Sequence, residues 1–316
     1  MKVRTPVVRL IASISLCGVL LASLASAAWL AVGPTLEAGA TFLTVEGVSS
    51  AEFSGARTTP FFFLALGNDS REPNQPGLGD SIHVIGINPA TKQGTMLNVP
   101  RDTEAPDGGK INSYHPGGGG LPAIVDQLNK MMGIQIDYAI TTDFPRFINM
   151  VNSFGGISIN LPYDLTDGPY SGSDFRPGPQ GVDGDQALAI ARDRHDFGRQ
   201  GDRQRTWNAG LVILSALSTL QARDLSAAET VKLVASLVGG VTTHNVSTAE
   251  LFRLGRLALS IDPAVVTNCT IPTGGGGGSN LAVAPEAGAL FADFRDDGVA
   301  AFCDPMPGGF DLPSPG

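Results

Sequence analysis

The amino-acid sequence predicts a single three-layer α/β domain, a sheet with helices on both faces, carried behind one membrane-spanning segment. Three observations predict it. Short apolar runs bounded by turn residues alternate with helix-spaced stretches across about 240 residues, the pattern of strands and helices in one layered domain. With 316 residues and 42% hydrophobic content the chain can bury a substantial core. Residues 10–32 carry no charged side chain and follow Lys2, Arg4 and Arg9, as in a helix that crosses a bilayer with its amino end in the cytoplasm.

On this reading residues 1–9 are cytoplasmic, 10–32 form the anchor, 33–59 a small, polar spacer, 60–297 the folded domain and 298–316 a loose tail. The rival is a cleaved signal peptide, since Ala25-Ser26-Ala27 resembles a cleavage site. The apolar stretch runs on through Ala28-Trp29-Leu30-Ala31-Val32, past the length of a signal core, which favours the anchor. Either way the domain is exported, at the outer face of the cell membrane if the anchor stays.

Within the domain, Phe61 to Leu66 is an apolar run stopped by Gly67-Asn68-Asp69-Ser70, a buried strand feeding a loop. Ser81 to Ile87 alternates and meets the turn at Asn88-Pro89, and Gly94 to Val99 follows, giving a second and a third strand. Leu121 to Met132, after the glycine run 117–120, has helical spacing. Phe144 to Phe154 is a helix stopped by Gly155-Gly156, and Ile157 to Leu161 is the next strand. Gln186 to Arg192 suits a short helix or a strand, and Trp207 to Leu220 an amphipathic helix. Residues 225–240 and 247–260 read as two more helices, the second opened by a capping box, Ser247-Thr248-Ala249-Glu250. A strand at Val266 to Ile271, a glycine-rich loop at 274–278 and a closing helix at Glu286 to Phe294 complete the domain.

Only 16% of residues are charged, against about 25% in an ordinary soluble domain, and 21 basic against 30 acidic residues leave a net charge of −9. The diffuse basic field that nucleic-acid binding needs is missing, so that partner is excluded. His83, His115, His195 and His244 show no zinc spacing, no G-x-S-x-G elbow is present, and neither glycine run has the G-K-[ST] of a phosphate-binding loop. Cys269 and Cys303, in an exported domain, are candidates for a disulfide that would staple its end. Two unpaired thiols are the alternative, because the sequence sets no distance between them.

In a chain so poor in charge, two segments stand out. One holds Asp69, Arg71 and Asp80, with Arg101-Asp102 directly after the third strand. Carboxylates at strand ends hold hard cations such as Mg²⁺ or Mn²⁺, phosphate oxygens completing the shell; the plain alternative is aspartates that cap turns. The other is ARDRHDFGRQGDRQR, residues 191–205, with Arg192, Arg194, Arg199, Arg203 and Arg205. Planar guanidinium groups bind phosphate in pairs, so this cluster beside metal-type carboxylates suits a diphosphate. A solvated loop balanced by Asp193, Asp196 and Asp202 is the alternative. Arg192 and Arg194 would share one side of an extended strand, which favours the site.

These stretches, in this order, resemble the LytR-CpsA-Psr family of bacterial cell-wall enzymes. The matching segments are FFFLALGNDSRE, GDSIHVIGINPATKQGTMLNVPRDT, GKINSYHPGGGG, GIQIDYAITTDFPRFINMVNSFGGISINLP, GDQALAIARDRH and GDRQRTWNAGLVILSAL, with a weaker continuation to EAGALFADFRDDG. The resemblance implies a mixed central sheet and an extracytoplasmic phosphotransferase. That enzyme moves a glycan phosphate from a polyprenyl diphosphate carrier to peptidoglycan. By motif, Asp69 and Asp80 would hold Mg²⁺ or Mn²⁺, and Arg101, Arg192 and Arg194 would bind the diphosphate. The family's further arginine is Arg199 in one register and Arg205 in the other; the second also matches Asn208 and Gly210 and is preferred, with Arg203 beside it. The arginine usual before the second aspartate is Leu78 here, so one phosphate contact is missing or supplied by Arg71. Asp69 or Asp102 would take the acceptor proton. The carrier's tail would lie in a greasy tunnel lined by Phe144, Phe147, Ile148, Val151, Leu188 and Ile190, residues that plain core packing explains equally well. Two other functions compete: hydrolysis of the same lipid diphosphate, and membrane-bound regulation of envelope synthesis.

Overall fold

The computed structural model describes residues 59–72, 77–115, 120–223, 242–244, 254–255, 257–275, 280–301 and 303; the side chains of 197, 199, 200 and 242–244 lie outside that description. The expected anchor at 10–32 and the spacer up to residue 58 lie outside the described residues. So do the first glycine run apart from Gly120, most of 274–278, the helices at 225–240 and 247–260 except for a few positions, and the tail after 303. Among the described residues no helix is long and apolar enough to cross a membrane.

The core of the fold is a six-stranded mixed sheet. β1 (Phe61–Asn68) lies at its centre, between β2 (Gly79–Asn88), which is antiparallel to it, and β4 (Ile136–Thr142), which is parallel. β3 (Gln93–Val99) continues antiparallel from β2, β8 (Val266–Thr270) adds parallel to β3, and β7 (Thr242–His244) closes the other edge antiparallel to β4. Consequently β1, β3, β4 and β8 all end at the edge where β2 begins. Two hairpins stand apart, β5 (Ile157–Leu161) with β6 (Gly178–Val182), and β9 (Thr273–Gly275) with β10 (Leu281–Val283).

Alternation along the strands divides two cores. Phe62, Leu64 and Leu66 of β1, Ile82 and Val84 of β2, and Leu97 and Val99 of β3 point to one face. There they meet α1 (Leu121–Met132) and α5 (Ala287–Asp297). α1 buries Leu121, Ile124, Val125, Leu128 and Met132, an i, i+3, i+4, i+7 stripe, and ends at Gly133 with φ 67°, the left-handed cap that glycine adopts without strain. The second core gathers α2 (Phe144–Ser153), α3 (Gly184–Arg192) and α4 (Gly201–Gln221) with the β5–β6 hairpin around Val151, Ile159, Leu161, Ile190, Trp207 and Val212. α4 approaches the sheet at Gly210, where a Cβ would collide with Asn268 and stand 2.8 Å from Asn98. Cys269 and Cys303 form a disulfide that ties β8 to the chain beyond α5.

Several elements differ from the sequence expectation. β4, IDYAITT, a central strand, was not expected because Asp137 breaks its apolar run; in the fold that carboxylate accepts the Phe62 amide at 3.0 Å. β6, GPQGV, has neither alternation nor β-branched residues apart from Val182, and pairs because β5 offers it a register. The segment before Trp207 is helical too: α4 starts at Gly201 and places Arg203 and Arg205 on a helix rather than in a loop. Arg192 and Arg194 do not lie on an extended strand. Arg192 is the last residue of α3, which starts at a capping box of Asp183 and Gln186, and Arg194 lies two residues beyond it, before a 3₁₀ turn at His195–Gln200.

Candidate active site

The edge where four strands end gathers most of the charged candidates, the place open α/β sheets offer to ligands. Asp69 follows β1, Asp80 is the second residue of β2, and Arg101-Asp102 lie just beyond β3. Asp80 is the hub. Its Oδ2 accepts from Arg101 at 2.5 Å and its Oδ1 from the Asn112 amide at 3.2 Å, while Arg205 stands 3.9 Å away. A second carboxylate, Asp202 in the first turn of α4, faces three arginines through one oxygen: Arg205 at 3.3 Å, and Arg101 and Arg194 at 3.9 Å each. Asp102 pairs with Lys110 at 3.0 Å and lies 3.8 Å from Arg101.

Burial makes these charges consequential. Arg205 is only 7% exposed. Its burial, and then the neighbouring Arg101 charge, pull its guanidinium below the ordinary value, with Asp202 and Asp80 pulling back. For Arg101 burial also opposes the charge, but Asp80, then Asp202 and Asp102, outweigh it and hold the guanidinium above its ordinary value. Arg101 Nε and Arg205 NH2 are shut from solvent and make no hydrogen bond, although Asp202 is in ion-pair range of both. Asp202 Oδ1 is likewise buried without a hydrogen bond, so carboxylate and guanidinium groups here are incompletely matched, a rare and costly state that a further anionic oxygen would relieve on the donor side.

Arg192 belongs to the same neighbourhood. Its burial, and next the Arg71 charge, lower its guanidinium, while Asp167 and then Asp80 oppose that shift. Its guanidinium also lies 5.2 Å above the Phe144 ring, in cation–π contact. Arg71 itself is exposed. The Arg199 side chain is outside the described residues. Arg203 is half-buried on α4.

Asp69 is held by its own loop: it accepts from the Leu78 amide at 2.7 Å, and its amide donates to the Leu78 carbonyl at 3.1 Å. Gly77 permits this, since a Cβ there would lie 2.8 Å from Asp69 Oδ1 and 2.6 Å from the Ser70 nitrogen. The Leu78 side chain is exposed. Among the described residues no three His, Cys, Asp or Glu side chains cluster as a metal cage. Asp69 and Asp80 are therefore two hard oxygen donors rather than a closed site.

The expected lipid lining divides. Val151 and Ile190 are fully buried in the second core and pack it, whereas Phe144, Phe147, Ile148 and Leu188 are half-buried, although α2 is strongly amphipathic. Sequence reasoning assigned no role to Asn112 or Lys110, and read Asp202 only as a balancing charge. An acid three residues before Arg205 on a helix was the available signal for Asp202. It also missed the web behind the arginines. Asp167 Oδ2 accepts from the backbone amides of Arg194 at 3.3 Å and His195 at 3.4 Å, and from His195 Nδ1 at 2.8 Å. Ser173 donates to the buried Asp193, between the two arginines.

Known proteins share this architecture. The LytR-Csp2A-Psr enzyme from Actinomyces oris superposes with a TM-score of 0.64 at 22% identity, over 81% of this chain and 96% of that one. A structure described as TagT bound to LIIa-WTA gives 0.63 at 20% identity, over 81% and 100%. In sequence, the polyisoprenyl-teichoic acid–peptidoglycan teichoic acid transferase TagV of Bacillus subtilis is 31% identical over 182 residues, 52% of this chain and 46% of that protein. The chain spans about half the length of the first curated relatives it matches. The family model described as the LytR_cpsA_psr family matches residues 40–286, which take in every strand and the whole arginine site, and the chain belongs to that family.

Proposed function

We propose that the domain transfers a glycan phosphate from a polyprenyl diphosphate to peptidoglycan outside the membrane, with residues 10–32 as its anchor. The observation that carries this reading is the pair of buried, unbonded donors, Arg101 Nε and Arg205 NH2, at the strand-end edge. Asp202 matches them only incompletely, and an anion with several oxygens would complete their bonding, as it would for Arg192 and Arg194. Curated relatives named as teichoic acid transferases acting on peptidoglycan support the substrate class.

In this reaction the acceptor hydroxyl oxygen bonds to the glycan-bearing phosphorus. The bond from that phosphorus to the bridging oxygen breaks, and polyprenyl phosphate leaves with the electron pair. The hydroxyl proton passes to Asp69 or Asp102. Phosphoryl transfer asks mainly for positioning and charge neutralisation, which Arg101, Arg192, Arg194 and Arg205 supply, with Arg71, Arg199 and Arg203 as further candidates. Asp69 and Asp80 would hold Mg²⁺ or Mn²⁺, which use one or two carboxylates and fill their shell from phosphates and water, through oxygens that here accept from Leu78, Arg101 and Asn112. When bound, the cation would neutralise charge on the diphosphate oxygens. We assign the carrier tail to the apolar side chains next to Arg192, namely Phe144 under its guanidinium with Phe147 and Ile148 of α2 and Leu188 of α3.

Incubation of the full chain with labelled polyprenyl diphosphate-linked glycan and peptidoglycan tests the proposal. Label covalently attached to peptidoglycan is the expected result. Free glycan phosphate with no attached product would replace the transferase by a hydrolase, and turnover of neither kind would leave a regulator.

A further inference from the structure

The loop that joins β5 to β6, residues 162–177, is far longer than the roughly 2–5 residues a hairpin needs. It is nevertheless strongly ordered by its own bonds. Leu165 and Phe175 bridge across it. Tyr170 N and Ser171 N both donate to the Asp167 carbonyl, at 3.0 and 2.8 Å, and the Ser171 and Ser173 hydroxyls bond each other at 2.7 Å. This framework presents one aromatic ring to solvent: Tyr170 is 68% exposed, the most exposed large apolar side chain among the described residues.

That ring stacks on His195, with centroids 4.1 Å apart and planes inclined by 32°. His195 is fixed from behind by the Asp167 carboxylate at 2.8 Å. Both rings thus hang on one residue, Asp167, whose side chain is 1% exposed. The position is as informative as the rigidity, because His195 directly follows Arg194, whose guanidinium faces Asp202 and through it Arg205 and Arg101. Asp196 and Thr166, bonded to each other at 3.0 Å, add a carboxylate and a hydroxyl at the rim. An exposed, immobilised aromatic face flanked by carboxylate and hydroxyl groups does nothing for the core. It matches the C–H face of a pyranose, whose weakly positive hydrogens meet the negative face of an aromatic ring, while its hydroxyls find the polar rim.

We infer that Tyr170, stacked on His195, is a sugar-binding platform that seats a pyranose ring of a glycan next to the arginine site. The inference rests on the proposed transferase reading, and the ring belongs either to the acceptor strand or to the glycan on the donor. Tyr170→Ala and Tyr170→Phe, made in the full chain, test it, and the exposed position spares the fold. Binding of a carrier-free peptidoglycan oligosaccharide and of carrier-free donor glycan, measured by calorimetry, should weaken about tenfold for one of the two in Tyr170→Ala, the worth of one aromatic contact. Tyr170→Phe should bind as the unsubstituted protein does. In the transfer assay the same substrate's KM rises while kcat stays within twofold, and which KM rises identifies the sugar's source. Unchanged binding of both saccharides by Tyr170→Ala overturns the platform. Absence of transfer by the unsubstituted protein overturns the transferase reading instead, and leaves the saccharide titrations to judge the platform alone.

Discussion

Replacing Arg205 by methionine separates the cost of the site from its use. At an effective dielectric near 20, Asp202 at 3.3 Å attracts the guanidinium by about 5 kcal/mol and Asp80 at 3.9 Å by about 4 kcal/mol. Burial of the cation and repulsion from Arg101 nevertheless come first and second among its influences, and together they leave its pKa lowered. The folded state therefore disfavours this charge relative to the unfolded chain. Methionine keeps the apolar stem and removes the charge, while Asp202 retains Arg101 and Arg194 at 3.9 Å and Asp80 retains Arg101 at 2.5 Å. Removing one partner of a buried ion pair normally destabilises because it strands the other charge, but here both carboxylates keep Arg101 and the folded state disfavours the Arg205 charge, so we expect unfolding free energy to rise by about 1 kcal/mol. For a domain of this size the matching rise in Tm is about 2–4 °C. The transfer reaction should respond oppositely, with kcat/KM falling by about 10²–10³, or 3–4 kcal/mol of barrier, as for other preorganised charge donors. Thermal and urea melts measure the first quantity and incorporation of labelled glycan the second. A protein destabilised by more than about 2 kcal/mol would make Arg205 structural, and transfer within threefold of the parent would take it off the substrate.

Three further outcomes follow from the same structure. Burial pushes the Asp193 carboxyl up to about 6 and the His83 imidazole down to about 4. The Asp193 contribution to stability is full below pH 4 and lost as pH rises through 6; that of neutral His83 is full above 6.5 and lost as pH falls through 4, so their slopes oppose. Asp193→Asn should match the parent at pH 4 and exceed it by about 2–3 kcal/mol at pH 7 in urea titrations, and equal stability at both would refute it. Cys303→Ser opens a cross-link over 34 residues and should lower stability by about 3–4 kcal/mol under oxidising conditions, with no further loss on adding reductant. Leu78→Arg, at an exposed position beside the Asp69 loop, should lower the KM for the lipid diphosphate severalfold without changing Tm, and an unchanged or raised KM would show that Arg71 already fills that role.

Much of this protein is local in origin. The apolar run of β1, the alternation in β2, the stripe of α1 and the Asp183–Gln186 cap of α3 are decided by neighbouring residues, because period, turn and cap preferences act over a few positions. The types of residue at the site were equally plain, since arginines and aspartates concentrated in a chain of low charge have few uses other than an anion. What the sequence by itself determined was thus the layered α/β class, the order of most elements and the residue types that gather at the candidate site. Tertiary structure alone decided that β4 with its buried Asp137 is central, and that the arginines straddle a helix end, a turn and a helix start instead of an extended strand. It also decided that one oxygen of Asp202 faces three of them. Those outcomes depend in large part on groups far apart in sequence, such as Asp80 with Arg101, 21 positions away, and Phe62 with Asp137, 75 positions away, meeting under burial. The energies involved exist only once the sheet has excluded water, so no short stretch of sequence carries them.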